Sequence, residues 1–151
     1  MVFDASGSME VYSRYLINFV RGVIGRWLHA DPSCFIRGWC ISPMRCASDT
    51  RIATALKTFN DRYAKETLHR RAVVIVMSDG YDTDSPEALA VEPRRLKRRA
   101  HRLVWLNPLL GWKGYAPVAR AMAVALDYVD CFATAHSLAS LAALEGELAR
   151  L

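Results

Sequence analysis

The sequence predicts an α/β protein whose mostly parallel sheet is covered by helices. Strand-like and helix-like stretches alternate along the chain, which is the pattern of βαβ units. The run from Ala72 to Met77 is unbroken, apolar and rich in valine, as expected of a strand buried on both faces. Polar residues (Asp4, Asp79 and Asn107) stand where predicted strands end, which is where such sheets bind ligands.

The first strand and helix are predicted at the start of the chain. Residues 1–3 are apolar but fewer than the five or six residues usual for a strand, so we expect the sequence to begin inside strand one. A helix is predicted from Glu10 to His29, because its apolar residues recur at intervals of three and four.

The stretch 30–49 carries the weakest signals. Residues 34–36 and 38–41 are candidates for short strands, and Pro43 favours a loop in the remainder.

The later elements are better marked. Ser85 followed by Pro86 is a typical helix start, and Pro93 is expected to bend or divide that helix. The remaining predictions are helices at 51–65, 115–126 and 137–151 and strands at 72–77, 103–106 and 130–134.

Length and composition describe one globular domain spanning residues 1–151. With 52% hydrophobic and 23% charged residues, the chain is neither disordered nor membrane-embedded. Asp4 interrupts the apolar start, so no signal peptide is predicted, and no run reaches the roughly 18–20 apolar residues of a membrane span. We therefore expect a cytoplasmic protein.

The charge pattern and the cysteines do not by themselves indicate a nucleic-acid-binding or zinc-binding protein. The formal net charge is +5, with a basic cluster at 94–102, which we interpret as the solvated face of a helix. A basic nucleic-acid-binding domain is an alternative, although the cluster lacks the interleaved aromatic residues used for base stacking. The four cysteines match no common zinc spacing and are interpreted as reduced thiols.

One constellation indicates a metal site. Asp4, Ser6 and Ser8 alternate along the chain where the first strand turns into a helix, so their side chains can converge. A carboxylate with two hydroxyls suits Mg²⁺ or Mn²⁺ and is poor for zinc. The alternative is a polar turn in which Asp4 or Ser6 caps the helix.

The motif resembles the metal-ion-dependent adhesion site of von Willebrand factor A (VWA) domains. That family places a threonine in a later helix-opening loop and an aspartate at the end of a buried strand, and Thr50 and Asp79 match these positions in order. The resemblance implies a three-layer, Rossmann-like fold and a cation held by Asp4, Ser6, Ser8, Thr50 and Asp79.

Other segments resemble the CoxE-like branch of the VWA domains. They include Ser78-Asp79-Gly80-Tyr81-Asp82 and the more specific Trp105-Leu106-Asn107-Pro108-Leu109-Leu110. The resemblance covers nearly the whole chain apart from residues 30–47.

This resemblance implies an adaptor, not an enzyme. CoxE-like proteins are associated with a MoxR-type AAA+ ATPase in the maturation of carbon monoxide dehydrogenase and related molybdenum hydroxylases. The implied ligand is an acidic side chain of a partner protein, bound at a rim formed by Asp49, Gly80, Tyr81, Asp82 and Asn107.

The chain departs from the family pattern in two ways. The family has more chain before the metal motif and one or two further strands before the threonine loop, so we expect a sheet lacking part of strand one and other strands, and the sequence is consistent with a fragment of a longer protein. Asp49 also stands where the family tends to have glycine.

A metal-dependent phosphohydrolase-like enzyme is the alternative from another class. Asp4 could act as an aspartyl nucleophile, but such hydrolases have a second aspartate where this chain has Ser6. The four histidines are scattered and indicate no catalytic triad.

Overall fold

The structure is a computed structural model, described over residues 2–4, 42–44, 51–68, 72–81, 85–112 and 120–148. Within these ranges it contains parallel strands, α-helices and a 3₁₀ helix at Pro108–Gly111. The strands are β1 (Val2–Asp4), β2 (Ser42–Met44), β3 (Val73–Met77), β4 (Arg102–Asn107) and β5 (Cys131–Thr134), and the α-helices are α1 (Ile52–Arg62), α2 (Ala64–Thr67), α3 (Pro86–Lys97), α4 (Arg120–Leu126) and α5 (Leu138–Leu148).

The strands form one sheet in the order β2-β1-β3-β4-β5, and every neighbouring pair is parallel. Phe3 of β1 pairs with Pro43 on one side and with Met77 on the other. The predicted α/β class with a parallel sheet is therefore confirmed.

The hydrophobic core lies between one face of the sheet and the helices packed on it. Alternate residues of a strand share a face, and Val74, Val76, Leu103 and Trp105 pack in one cluster with side chains of α1, α3 and α4. Helix α3 lies between α1 and α4 and contacts both. Val104 and Leu106, on the opposite face of β4, are also buried, so this strand is covered on both sides.

Helix α3 begins as its sequence predicts and continues past Pro93. The Ser85 hydroxyl accepts a hydrogen bond from the Ala88 N–H at 3.2 Å, and Pro86 occupies the first turn. Of the two expectations at Pro93, a division of the helix is wrong, because one helix runs from Pro86 to Lys97, and a bend stays a prediction. Leu89 and Leu96 are fully buried on either side of Pro93, and this packing offsets the hydrogen bond that a proline cannot donate.

The loop predicted around Pro43 is also wrong, because Ser42–Met44 is strand β2. Proline removes a donor from the ladder and is tolerated on edge strands. Strand β2 pairs only with β1 in the described sheet, so Pro43 occupies such an edge.

Several predictions agree with the structure only in part or lie outside the described residues. The helix predicted at 51–65 is two helices, α1 and α2, separated at Tyr63. The helix predicted at 10–29 and the strands at 34–36 and 38–41 fall outside the described ranges. Among the described helices, none is long and apolar enough to cross a membrane.

A polar network joins α1 to α3. Asn60 is 1% exposed, and its Nδ2 donates to the Glu92 carbonyl at 3.1 Å and to Glu92 Oε2 at 2.8 Å. Arg95 then bridges Glu92 Oε2 at 2.9 Å and Asp61 Oδ1 at 2.6 Å. Arg99 donates to the Asn60 carbonyl at 3.1 Å. Part of the basic cluster therefore holds helices together.

Asp130 joins α3 to the start of β4. Its Oδ2 accepts from the Leu103 N–H at 2.7 Å, and its Oδ1 accepts from Lys97 and lies 3.6 Å from Arg102. Burial raises the pKa of Asp130, but the hydrogen bonds from Lys97 and Leu103 and the two positive charges outweigh it and hold this pKa below its usual range.

We expect Asp130→Ala to lower the free energy of unfolding by about 1–3 kcal/mol at neutral pH, because it leaves the Leu103 N–H without its carboxylate partner. A carboxyl whose pKa is lowered on folding stabilises the protein fully above its unfolded pKa of about 3.9, and this contribution is lost as pH falls through the folded value. Urea unfolding should therefore show a smaller difference between wild type and variant at about pH 3 than at pH 7.

Asp61→Ala is the matched control. Hydrogen bonds from Lys57 and then Arg95 lower the pKa of Asp61 to about 2, yet this carboxylate is solvent-exposed and its ion pairs are screened. We expect a smaller, salt-sensitive loss than for Asp130→Ala. Equal losses in both variants at high salt would show that the Leu103 hydrogen bond contributes little.

Candidate functional site

The candidate site lies at the carboxyl ends of β1 and β3. The chain passes from β1 to β2 on one side and then to β3 on the other side of β1. Parallel α/β sheets bind their ligands at such a reversal of strand order. Asp4 ends β1, and Asp79 follows the end of β3 by two residues, so both predicted acidic ligands are at this position.

The structure places only part of the predicted donor set. Phe3 pairs with Met77, so the next positions along the two strands are Asp4 and Ser78. For Asp4, the structure describes the main chain, which ends β1. Ser6, Ser8, Asp49, Thr50 and Asp82 lie outside the described residues, and their assignment stays a prediction.

Two short hydrogen-bonded turns shape the loop after β3. The Ser78 hydroxyl accepts from the Gly80 N–H at 3.1 Å, and Asp79 Oδ1 accepts from the Tyr81 N–H at 3.1 Å. Both are the side-chain-to-backbone turns that serine and aspartate favour. Asp79 is 3% exposed, so its carboxylate is held close to the sheet.

Strand β4 holds the same loop from the side. The Ser78 N–H donates to the Leu106 carbonyl at 3.1 Å, which extends the β3–β4 ladder by one bond. Trp105 Nε1 donates to the Ser78 carbonyl at 3.0 Å, and Asn107 Nδ2 donates to the Asp79 carbonyl at 3.0 Å. The main chain around Asp79 is thus bonded to three successive residues of β4.

Gly80 is required by both its backbone and its surroundings. Its φ is +81°, a value that glycine adopts without a steric penalty. A Cβ at this position would lie 2.8 Å from Met122 Sδ, on α4. Glycine at this position therefore allows the chain to turn tightly as it leaves β3.

The predicted partner-binding rim contains residues of two kinds. Tyr81 is 54% exposed and lies on the surface. Gly80 is buried and Asn107 is 0% exposed, so the Asn107 side chain supports the rim from below and is not part of its surface. Sequence reasoning identified Asn107 from its place at a strand end but could not show which way its amide pointed.

Trp105 and Met122 are contacts of the site loop that sequence reasoning did not identify. Trp105 stands in the Trp-Leu-Asn-Pro segment, which was a signal of the family but not of a role. Met122 belongs to a helix far along the chain, and its approach to Gly80 follows only from packing.

The donor set predicted from the sequence has the chemistry that a hard cation prefers, and Asp79 is its member whose side chain the structure describes. Among the described residues, no group of three or more His, Cys, Asp and Glu side chains could hold a metal ion. The predicted set does not require one, because it combines two carboxylates with three hydroxyls. Its two acidic members lie at the carboxyl ends of adjacent strands: Asp4 ends β1, and Asp79 follows β3 by two residues.

We expect Gly80→Ala to lower the free energy of unfolding by about 1–3 kcal/mol, because an alanine at positive φ is strained and its methyl group meets Met122. Gly146→Ala is the matched control: Gly146 lies in α5 with nothing within 4 Å of an added Cβ. That variant should gain about 0.5–1 kcal/mol from helix propensity. Chemical unfolding measures both, and a neutral Gly80→Ala would contradict the close packing of this loop.

Comparison with known proteins identifies the family. A family model described as VWA domain containing CoxE-like protein matches residues 26–141. The matched region includes Thr50, Asp79 and Asn107 and begins after Asp4, Ser6 and Ser8. Comparisons with curated proteins and with solved structures gave no match. The family model covers well over half of the chain, and the chain therefore belongs to the VWA-domain-containing CoxE-like family.

Proposed function

We propose that this chain is a metal-dependent protein-binding adaptor that works with a MoxR-type AAA+ ATPase. Its client would be carbon monoxide dehydrogenase or a related molybdenum hydroxylase during maturation, in the cytoplasm. Family membership supports an adaptor-type VWA role. The partners are inferred from the resemblance of the sequence to CoxE-like proteins.

One observation carries the metal-binding part of the proposal. Asp4 and Asp79 follow adjacent parallel strands at the point where the strand order reverses. Two carboxylates that are brought close together repel each other unless a cation or a proton lies between them. A divalent cation held by both relieves this repulsion, and the alternation of Ser6 and Ser8 after Asp4 supplies neutral donors beside it.

The residues that would hold the cation are Asp4, Ser6, Ser8, Thr50 and Asp79, some of them through water. Magnesium typically keeps several waters and binds one or two carboxylates, which agrees with a set containing only two acidic residues. When bound, the cation supplies an electrophilic position that favours an anionic oxygen. The serines and the threonine then act as ligands and not as nucleophiles.

The residues around the proposed cation site determine which partner groups can approach the cation. Tyr81 is exposed next to the Asp79 loop and offers a ring and a hydroxyl to a docking protein. Asp49 and Asp82 are the neighbouring acidic residues of the predicted rim. An Asp or Glu side chain of the partner would complete the cation's coordination. Without the cation, Asp49 and Asp82 would repel that carboxylate, so binding of the partner should require the metal.

The basic segment does not favour the nucleic-acid alternative. Arg95, Lys97, Arg99 and Arg102 take part in contacts with Asp61, Glu92, Asn60 and Asp130 within the fold. These contacts account for four of its positive charges without a phosphate ligand.

The metal-binding prediction is tested by titrating the protein with Mg²⁺ and Mn²⁺ in a calorimeter. We expect modest affinity in the wild type and no measurable binding in Asp4→Ala, because one of two carboxylate ligands is lost. Asp61→Ala is the matched control, since it removes an exposed aspartate of α1 whose described ion-pair partners are Lys57 and Arg95. Equal binding by wild type and Asp4→Ala would reject the assignment.

The partner prediction is tested by co-precipitation with a MoxR-type ATPase encoded near this protein. The complex should form in Mg²⁺, dissociate in EDTA and weaken about tenfold or more in Ser6→Ala and Thr50→Ala, as expected for the loss of groups that ligate or orient a metal.

Thr58→Ala is the matched control for these variants. Thr58 is exposed on α1 and its hydroxyl donates within the helix, to the Thr54 carbonyl at 2.9 Å. A complex that survives EDTA and both site substitutions would show that the cation does not bridge the partners, and that the helical surfaces make the contact.

A further inference from the structure

We infer that Asn107 is a positioning residue for the Asp79 carboxylate. Its side-chain amide holds the main chain of Asp79 from the neighbouring strand, and so it determines where the carboxylate lies at the sheet edge. The effect on cation binding rests on the proposed function, whereas the effect on the loop stands on the hydrogen bonds alone.

Both the NH₂ and the oxygen of the Asn107 side-chain amide form hydrogen bonds with the main chain, one in the Asp79 loop and one in the 3₁₀ helix. Nδ2 donates to the Asp79 carbonyl at 3.0 Å, and Oδ1 accepts from the Leu109 N–H at 2.9 Å. The residue is 0% exposed, so water does not compete for these bonds. It ends β4 and begins the 3₁₀ helix at Pro108–Gly111. The Asp79 loop and the Leu109 turn are therefore fixed relative to each other by one planar group.

The position of these bonds explains their effect on Asp79. The Ser78 carbonyl belongs to the peptide before the Asp79 Cα, and the Asp79 carbonyl belongs to the peptide after it. Trp105 holds the first and Asn107 holds the second. Because peptide units are planar, fixing both units fixes φ and ψ of Asp79 and hence the direction of its Cα–Cβ bond. The remaining freedom of the carboxylate is limited by the bond from the Tyr81 N–H to Oδ1.

The chemistry at this position requires an amide. The Asp79 carbonyl needs a donor and the Leu109 N–H needs an acceptor, and asparagine offers both on a short side chain. Aspartate would offer acceptors to both groups, and leucine would offer neither. Serine can accept from an N–H two residues ahead, as it does in turns, but it lacks the amide NH₂ that spans to Asp79.

Asn107→Ser is therefore the informative variant, because it retains the local bond to Leu109 and removes the bond to Asp79. Amide hydrogen exchange, followed residue by residue by NMR, should become at least about tenfold faster at Gly80 and Tyr81, whereas the amides inside β3 keep their protection. A titration with Mn²⁺ should show affinity lowered by about 10–100-fold, the range typical when a group that orients a ligand is removed.

Asn60→Ser is the matched control, because it removes a second buried asparagine amide far from the site. Asn60 is 1% exposed and donates to Glu92 across the α1–α3 contact. The variant should lower the melting temperature but leave exchange at Gly80 and Tyr81 and affinity for Mn²⁺ at wild-type values. A positioning role is thus separated from a general loss of stability.

Each outcome decides one part of the inference. Unchanged exchange at Gly80 and Tyr81 in folded Asn107→Ser overturns the positioning role. Faster exchange with unchanged Mn²⁺ affinity retains the loop restraint and overturns its effect on the cation. If the wild type binds no Mn²⁺, the effect on the cation fails together with the proposed function, and the exchange data alone decide the loop restraint. If Asn107→Ser does not fold, Asn107→Thr keeps a hydroxyl acceptor for the Leu109 N–H, fills part of the vacated space with a methyl group and still lacks the amide donor to Asp79. The same two measurements then apply, with the same expected directions.

Discussion

The bonds from β4 to the two peptides flanking Asp79 are the constraint on which the candidate site depends. They are effective because β4 is itself immobilised: Leu103, Val104, Trp105 and Leu106 are buried by the core on one face and by packing on the other. A polar loop that is hydrogen-bonded to a well-packed strand is restrained by that strand. The geometry of the site therefore depends on the packing of the core. Loss of the Trp105 side chain would remove both a large core residue and a hydrogen-bond donor to the loop.

The helical layer is held by a second set of interactions that uses much of the chain's charge. Helix α3 is central, and Glu92 on it is 5% exposed but receives hydrogen bonds from Asn60 and Arg95. A buried carboxylate is tolerated only when its charge is paired or hydrogen-bonded. Asp130 accepts hydrogen bonds from Lys97 and from the Leu103 N–H. Part of the basic cluster of the sequence thus has a structural explanation.

Residues whose role depends on local pattern were predictable, and residues whose role depends on distant neighbours were not. The valine-rich run of β3 and the Ser85-Pro86 start of α3 carry their own signals. Pro43 and Pro93 misled because local rules penalise proline, whereas an edge position and flanking buried leucines make it tolerable here. The strand end occupied by Asn107 was visible in the sequence, but the direction of its amide depends on the register between β3 and β4.

The arrangement of the proposed site gives its two sides different tasks. The Asp79 side is built into the sheet, with a buried aspartate, a glycine packed on Met122 and bonds from three residues of β4. Ordering that side is accomplished by folding, so it adds little to the entropic cost of binding a partner. A cation placed against it needs only a few further oxygen donors to be fixed, and its vacant positions then favour carboxylate over neutral groups. Specificity of this kind would depend on the charge and position of one partner side chain and would require little buried area, which suits the proposed adaptor.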